Sequence, residues 1–189
     1  MSFEADESPI AEPLSLTEVA SKSDAAPAPA GPVRLQGPMA YTIGLTVILV
    51  DQLVKMWMLG ALQLETLGSV QVWGPFNLTM VWNQGVSFGL FRGEAEWVRW
   101  VLVAFSLAVA GFLAVWARRV ERPLLGAAIG LIMGGAIGNM IDRVRFGKVA
   151  DFIDVTALHF PWVFNIADSA ISIGVVLLLI DSARRDVRP

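Results

Sequence analysis

Cysteine is absent from this 189-residue chain, and histidine occurs once, as His159. With no thiol there is no disulfide, no cysteine nucleophile and no thiolate metal site, and the redox compartment stays undetermined. One histidine cannot supply a His-rich metal centre, and the acids near it form no H-E-x-x-H pattern. No metal and no other cofactor is expected. Charge is scarce too. Charged residues make up 16% of the chain, where an ordinary soluble domain has about 25%. A net charge of −3 gives no basic footprint, so nucleic acid is not an expected partner. The acidic balance owes much to Glu4, Asp6, Glu7, Glu12 and Glu18.

Apolar residues, by contrast, reach 55%, with a mean hydropathy of +0.60. They are gathered in long runs, which points to bilayer spans rather than a large soluble core. Residues 1–37 read as a disordered cytoplasmic tail, with Pro9, Pro13, Pro27, Pro29 and Pro32 among scattered Ser and Ala. No basic stretch there runs into an apolar one, as a secretory signal peptide requires. Residues 38–189 read as one membrane domain with spans at about 39–59, 97–117, 123–141 and 164–180, each long enough at ~1.5 Å per residue to cross ~30 Å of hydrocarbon. Trp97, Trp100 and Trp116 suit the interfacial belts of the second span.

Between the first two spans, Phe76, Leu78, Met80 and Trp82 alternate with Asn77, Thr79, Val81 and Asn83. That period of two predicts a strand, with Val70–Trp73 as a hairpin partner before Gly74-Pro75. The expected fold is an all-α four-transmembrane-helix bundle carrying a small β-sheet on its outer face. Arg118, Arg119 and Arg122 fill the loop between spans two and three, and Arg184, Arg185 and Arg188 close the chain. With four spans these lie on one side together with Arg34, and the positive-inside rule makes that side cytoplasmic, both termini included. Residues 60–96 and 142–163 then face outward.

Most unusual polar residues map to that outer pole: Asp51, Asn83, Asn139, Asp142, Asp151, Asn165 and Asp168. A charged group near a span is a functional candidate by default, because placing it there is costly. Each taken singly is equally well read as a snorkelling or ion-paired interface residue. Spacing separates them. Asp51 and Lys55 stand at i, i+4 and can pair, which suits positioning better than acid chemistry. Asp142 precedes Arg143 and Arg145, and the same argument applies. Asp151 and Asp168 lie instead among apolar residues, although Lys148 is near Asp151 in sequence. The 142–163 segment leaves and re-enters on one side, so it can bring the two together. Two adjacent carboxyls that share a proton form an acid/base device without metal or cofactor.

Gly126, Gly130, Gly134 and Gly138 form one stripe of the third span, which lets another helix approach closely. Asn139 and Arg143, at i, i+4, continue toward the outer pole. Gly85-Val86-Ser87-Phe88-Gly89 matches the G-x-S-x-G elbow, but that motif needs an α/β sheet and a histidine partner. Ser169 reads as a packing hydroxyl. Two other classes compete with a peptidase. A proton-coupled carrier would carry polar residues through the whole bilayer depth, whereas here they cluster at one end. A non-catalytic scaffold would explain the glycine stripe but not two carboxyls in apolar settings.

Five ordered motifs carry a resemblance: Asp51-Gln52-x-x-Lys55, Asn83-x-Gly85-x-Ser87-Phe88-Gly89, Gly134-Gly135-x-x-Gly138-Asn139-x-x-Asp142-Arg143, Val149-x-Asp151-Phe152 and Phe164-Asn165-x-Ala167-Asp168-Ser169. Over roughly residues 39–183 the chain resembles the prolipoprotein signal peptidase (signal peptidase II) family. Ser87 departs from the alanine usual there, and the N-terminal tail lies outside the resemblance. The family implies an aspartic endopeptidase of the bacterial cytoplasmic (inner) membrane, with its site near the periplasmic face. Its substrates would be lipidated prolipoproteins, cut just before a diacylglyceryl-cysteine, with membrane lipid as surroundings. By similarity Asp151 and Asp168 match the catalytic pair, while Asn83, Gly85, Asn139, Arg143 and Asn165 line the site, bind substrate or brace the pair. Asp51, Lys55 and Asp142 are expected to support it. The resemblance also implies an outer-face sheet and inhibition by globomycin.

Overall fold

The structure is a computed structural model that describes residues 35–85 and 95–186. The tail at 1–34 and the stretch with Ser87, Phe88 and Gly89 lie outside the described residues. Helix α1 spans Gly37–Leu59, the short α2 Leu64–Leu67, strand β1 Ser69–Trp73 and β2 Phe76–Asn83. Helix α3 (Ala95–Ala117) and α4 (Pro123–Phe146) follow, then β3 (Val149–Asp154), a 3₁₀ turn (Thr156–Leu158), β4 (Val163–Phe164) and α5 (Ile166–Asp186). The four long helices are apolar enough to cross a membrane. Leu45, Leu49, Leu53, Phe105, Phe112, Val115, Ile173, Val176 and Leu179 are exposed on them, as lipid-facing residues would be.

Helix α4 is the central element, packed against α1, α3 and α5. In its most apolar stretch 56% of the residues are buried, against 17–22% in the other three spans. Glycine makes this possible. A Cβ at Gly130 would sit 2.5 Å from the Ala40 carbonyl oxygen, and one at Gly134 would sit 2.6 Å from that of Gly44. Gly135, on a second face, meets the Ala167 carbonyl of α5, and Gly174 of α5 meets the Ala128 carbonyl. Without side chains at these points the backbones approach closely, and packing replaces the hydrophobic driving force that lipid cannot supply.

Proline at the first turn of α1 and of α4 suits helix starts. Helix α4 runs five residues beyond the expected end at 141. It stops at Gly147, whose left-handed φ of 76° and N–H bond to the Arg143 carbonyl form a C-terminal cap. Helix α5 starts at Ile166 rather than 164, because Val163 and Phe164 are taken up by pairing with β3. The sheet is antiparallel in the order β1-β2-β3-β4. The expected β1–β2 hairpin is present, with Ser69 opposite Thr79 and Gln71 opposite Asn77. Strands β3 and β4 extend the hairpin into a four-stranded sheet, and they lie in what reads from sequence as a polar segment between the last two spans. Asp151 pairs with Val81 in register, so the sheet carries this carboxyl back to the ends of α4 and α5.

Candidate active site

Lys55 stands at the centre of the polar cluster at one end of the bundle and is only 2% exposed. Its ammonium is 2.9 Å from Asp51 Oδ2 and 2.7 Å from Asp142 Oδ2. The sequence pairs Asp142 with neighbouring arginines; the structure pairs it with Lys55 of α1, because i, i+1 and i, i+3 arginines on α4 point elsewhere. Arg145 donates to Gln52 Oε1 at 3.3 Å. Two buried carboxylates on one cation need further donors. Gln52 Nε2 donates to Asp142 Oδ1 at 3.0 Å and to Asp51 Oδ2 at 3.2 Å. The Ala167 N–H donates to Asp51 Oδ1 at 3.0 Å, and the Ala150 N–H to Asp142 Oδ2 at 3.1 Å. Gly138 lets the Asp51 carboxylate approach: a Cβ there would sit 2.8 Å from its Oδ2.

Asp151 and Asp168 are each one residue beyond these anchored amides, and two asparagines connect them. Asn165 Nδ2 donates to Asp151 Oδ1 at 2.7 Å and to Asn139 Oδ1 at 3.1 Å. Asn139 Nδ2 in turn donates to Asp168 Oδ1 at 2.7 Å. Lys55 reaches the same Asn139 oxygen at 3.5 Å, so the ionic cluster supports the amide chain. Asn165 and Asp168 also cap α5 reciprocally: the Asp168 N–H donates to Asn165 Oδ1 at 2.9 Å, and the Asn165 N–H to Asp168 Oδ2 at 3.2 Å. This is the geometry of a capping box with shorter side chains. It puts Asp168 in the first turn of α5.

The other Asp151 oxygen, Oδ2, accepts Asn83 Nδ2 at 3.0 Å, and Asn83 Oδ1 accepts the Gly85 N–H at 2.7 Å. Gly85 has φ +80°, and a Cβ there would meet Leu102 at 2.5 Å. Arg143 donates to the Asn139 carbonyl at 3.5 Å. Lys148 does not reach Asp151; its ammonium lies 4.3 Å from the Trp82 ring centre. Ser169 donates to the Asn165 carbonyl at 2.9 Å, as a packing hydroxyl would. Among the described residues, no buried side-chain nitrogen or oxygen of this cluster lacks a hydrogen-bond partner.

The two aspartates differ in setting. Asp151 is 1% exposed. Burial first, then the nearby Asp168 charge, pushes its carboxyl up to about 6, against the opposing hydrogen bonds from Asn83 and Asn165. Asp168 is half-buried and opens onto a groove of about 420 Å³ lined by Val155, Phe160, Trp162, Phe164, Ser172 and Ile173. Sequence reasoning missed this groove and the cross-helix role of Gln52. Its lining comes from three elements with no common spacing. No group of three or more His, Cys, Asp or Glu residues able to hold a metal occurs among the described residues.

Comparison with known proteins agrees with this architecture. A family model described as signal peptidase (SPase) II matches residues 43–184. The lipoprotein signal peptidase of Caulobacter vibrioides is 56% identical over 148 residues, which cover 78% of this chain and 88% of that protein. The lipoprotein signal peptidase of Methylorubrum extorquens is 46% identical, covering 77% and 88%. A solved bacterial membrane enzyme superposes with a TM-score of 0.67 at 28% identity, covering 79% of this chain and 90% of that one. A second superposes with a TM-score of 0.66 at 29% identity. Four apolar helices, a small sheet and a closed polar cluster at one pole define a multi-pass bacterial membrane enzyme. The chain belongs to the signal peptidase II family, and it is a peptidase of that family.

Proposed function

We propose that the protein is an aspartic endopeptidase that removes signal peptides from prolipoproteins, cutting just before a diacylglyceryl-modified cysteine, with Asp151 and Asp168 as the catalytic pair. The observation that carries this reading is the amide chain Asp151–Asn165–Asn139–Asp168, which links the buried Asp151 carboxyl to the half-open Asp168 carboxyl that lines a groove. The pair shares one proton. Its ionised member takes a proton from water as the oxygen attacks the scissile carbonyl, while its protonated member hydrogen-bonds the carbonyl oxygen. Collapse breaks the C–N bond, and a proton passes to the departing amine of the lipidated cysteine. The signal peptide leaves with a new carboxylate. No step needs a metal.

Asn83, Gly85, Asn139, Arg143 and Asn165 hold the pair or contact the substrate, and Asp51, Lys55 and Asp142 position its backbone. A diacylglyceryl group leaves the bilayer only at a cost of about 0.8 kcal/mol per CH₂. A site at the pole of a four-span bundle, half open beside apolar side chains, suits a substrate that cannot leave the membrane. The membrane is the cytoplasmic one, with both termini in the cytoplasm and the site near the outer face; the arginine distribution supports this orientation. Globomycin is the expected inhibitor. The test is incubation of the purified protein with a diacylglyceryl-modified precursor. Release of the signal peptide, lost in Asp168→Asn, is expected; undiminished release by that variant overturns the aspartic mechanism.

A further inference from the structure

The strand register brings two loops to one end of the sheet. Gln71 faces Asn77, Asn77 faces Asp154, and Asp154 faces Val163. The β1–β2 turn and the β3–β4 connection therefore project together, at the end away from the junction of α4 with β3. Both are apolar at their tips. Trp73 is 74% exposed and Phe76 41%, with their rings stacked at 6.2 Å; Phe160 is 48% exposed and Trp162 58%. Residues 66–78 include no charged side chain, and 155–165 include only His159 as a titratable group; Asp154, at the same end, is 8% exposed and turned inward, where Thr79 Oγ1 and the Thr156 N–H donate to it at 2.7 and 2.9 Å. The opposite end of the sheet, where Asn83 faces Val149, adjoins Arg143, Arg145 and Lys148. A turn that projects into water is ordinarily polar. Two uncharged turns with exposed tryptophan and phenylalanine at one end are the composition of a membrane-interface belt.

The groove next to Asp168 supplies the second observation. Its walls join Phe160 and Trp162 of the connection to Ser172 and Ile173 of α5. Ile173 lies seven residues into a span, about 10 Å along the helix axis, and is exposed on it. The aromatic connection thus reaches down against a lipid-facing stretch of α5, so its apolar surface is continuous with that of the bundle. We propose that this end of the sheet is seated in the membrane, with Trp73, Phe76, Phe160 and Trp162 at the headgroup–acyl boundary of the leaflet nearest the site. The occupant of this surface is lipid. The sheet then has a wet, basic end and a lipid-seated, aromatic end, with Asp151 on the strand that joins them. The inference stands on the transmembrane architecture and does not depend on which residues perform the chemistry.

The cysteine-free chain permits a direct test. The full-length variants Trp73→Cys and Phe160→Cys are labelled with a nitroxide and reconstituted into vesicles of phosphatidylethanolamine and phosphatidylglycerol. Val72→Cys and Leu158→Cys, at exposed neighbours on the same tips, serve if either first variant reconstitutes poorly. Collisions with oxygen, which concentrates in lipid, are compared with those of a water-soluble nickel chelate, and Arg119→Cys in the loop at the other pole is the aqueous reference. Oxygen accessibility exceeding nickel accessibility at both tips, with the reverse at residue 119, is expected. Nickel accessibility exceeding that of oxygen at either tip overturns the proposal. An immobilised label shielded from both reagents also overturns it, and identifies protein, such as a second copy of the chain, as what covers the tips.

Discussion

Asp51 and Asp142 share the Lys55 ammonium, and each accepts the peptide N–H of the residue immediately before Asp168 or Asp151. Asp51 holds Ala167, next to Asp168; Asp142 holds Ala150, next to Asp151. One cation on α1 thereby sets the spacing between the start of α5 and strand β3. Neither carboxylate needs to touch substrate to matter for turnover.

Lys55→Met should accordingly be worse for the fold than Asp51→Asn. Methionine leaves two buried carboxylates without their counter-charge, and breaking a buried pair from one side costs about 3–5 kcal/mol. Asp51→Asn keeps an acceptor for the Ala167 N–H and should reduce turnover less than loss of either Asp151 or Asp168. Thermal unfolding and precursor cleavage in detergent check both. Abolished turnover in Asp51→Asn with activity retained in Asp151→Asn would reverse the assignment of the pair.

Asp151→Asn and Asp168→Asn should each lower cleavage by ~10²–10⁴-fold, the usual contribution of a positioned acid or base. Groups that work as a unit are strongly non-additive, so the double variant should be scarcely slower than either single one. Single-turnover rates on a lipidated precursor provide the comparison. Independent, multiplying losses would show that the two carboxyls do not act together.

Asp151 also makes stability depend on pH in a definite direction. Its carboxyl is raised to about 6 in the folded protein, from a usual value near 3.9. Stability from this group is fully present below about pH 4 and is lost as pH rises through about 6, a change of about 3 kcal/mol. Asp151→Asn lacks this titration. Raising the pH from 4 to 7 should therefore lower the Tm of the wild type more than that of the variant. Equal changes in both would mean that Asp151 is not perturbed. Turnover should be bell-shaped in pH, since one proton too many or too few disables the pair.

Gly134→Leu should destabilise the bundle and reduce activity with it. A Cβ alone would already lie 2.6 Å from the Gly44 carbonyl oxygen and 2.8 Å from Val47 Cβ. Overpacking of a close contact typically costs about 1–3 kcal/mol. Normal thermal stability and activity together in this variant would contradict the close α1–α4 contact.

Both termini are expected on the cytoplasmic side. A cysteine introduced for Arg119 in intact spheroplasts should resist a membrane-impermeant thiol reagent until the membrane is opened. Labelling from outside would invert the topology.

Much of this protein was legible from its residues in order. The spans followed from apolar runs, because a bilayer imposes one length and one polarity on any helix that crosses it. The β1–β2 hairpin followed from alternation, because β2 has one face more open than the other. The two aspartates stood out because charge among apolar neighbours is costly. Strand β3 was hidden for the opposite reason. Val149 to Phe152 are all buried, so the alternation that betrays a half-exposed strand never arises. Helix α4 continues past Ile141 to Phe146 because Asp142 finds its partner on α1, which polarity at Asp142 and Arg143 does not reveal in sequence. Sequence proximity offered Arg143 and Arg145 for Asp142, whereas the fold supplied Lys55, 87 positions away, at 2.7 Å. The residues thus determined by themselves the four spans, the hairpin and the polar set at one pole. Only the tertiary structure decided the pairings within that set, because hydrogen bonds and ion pairs act over about 3 Å and join groups on different helices whose separation in sequence carries no information about their distance.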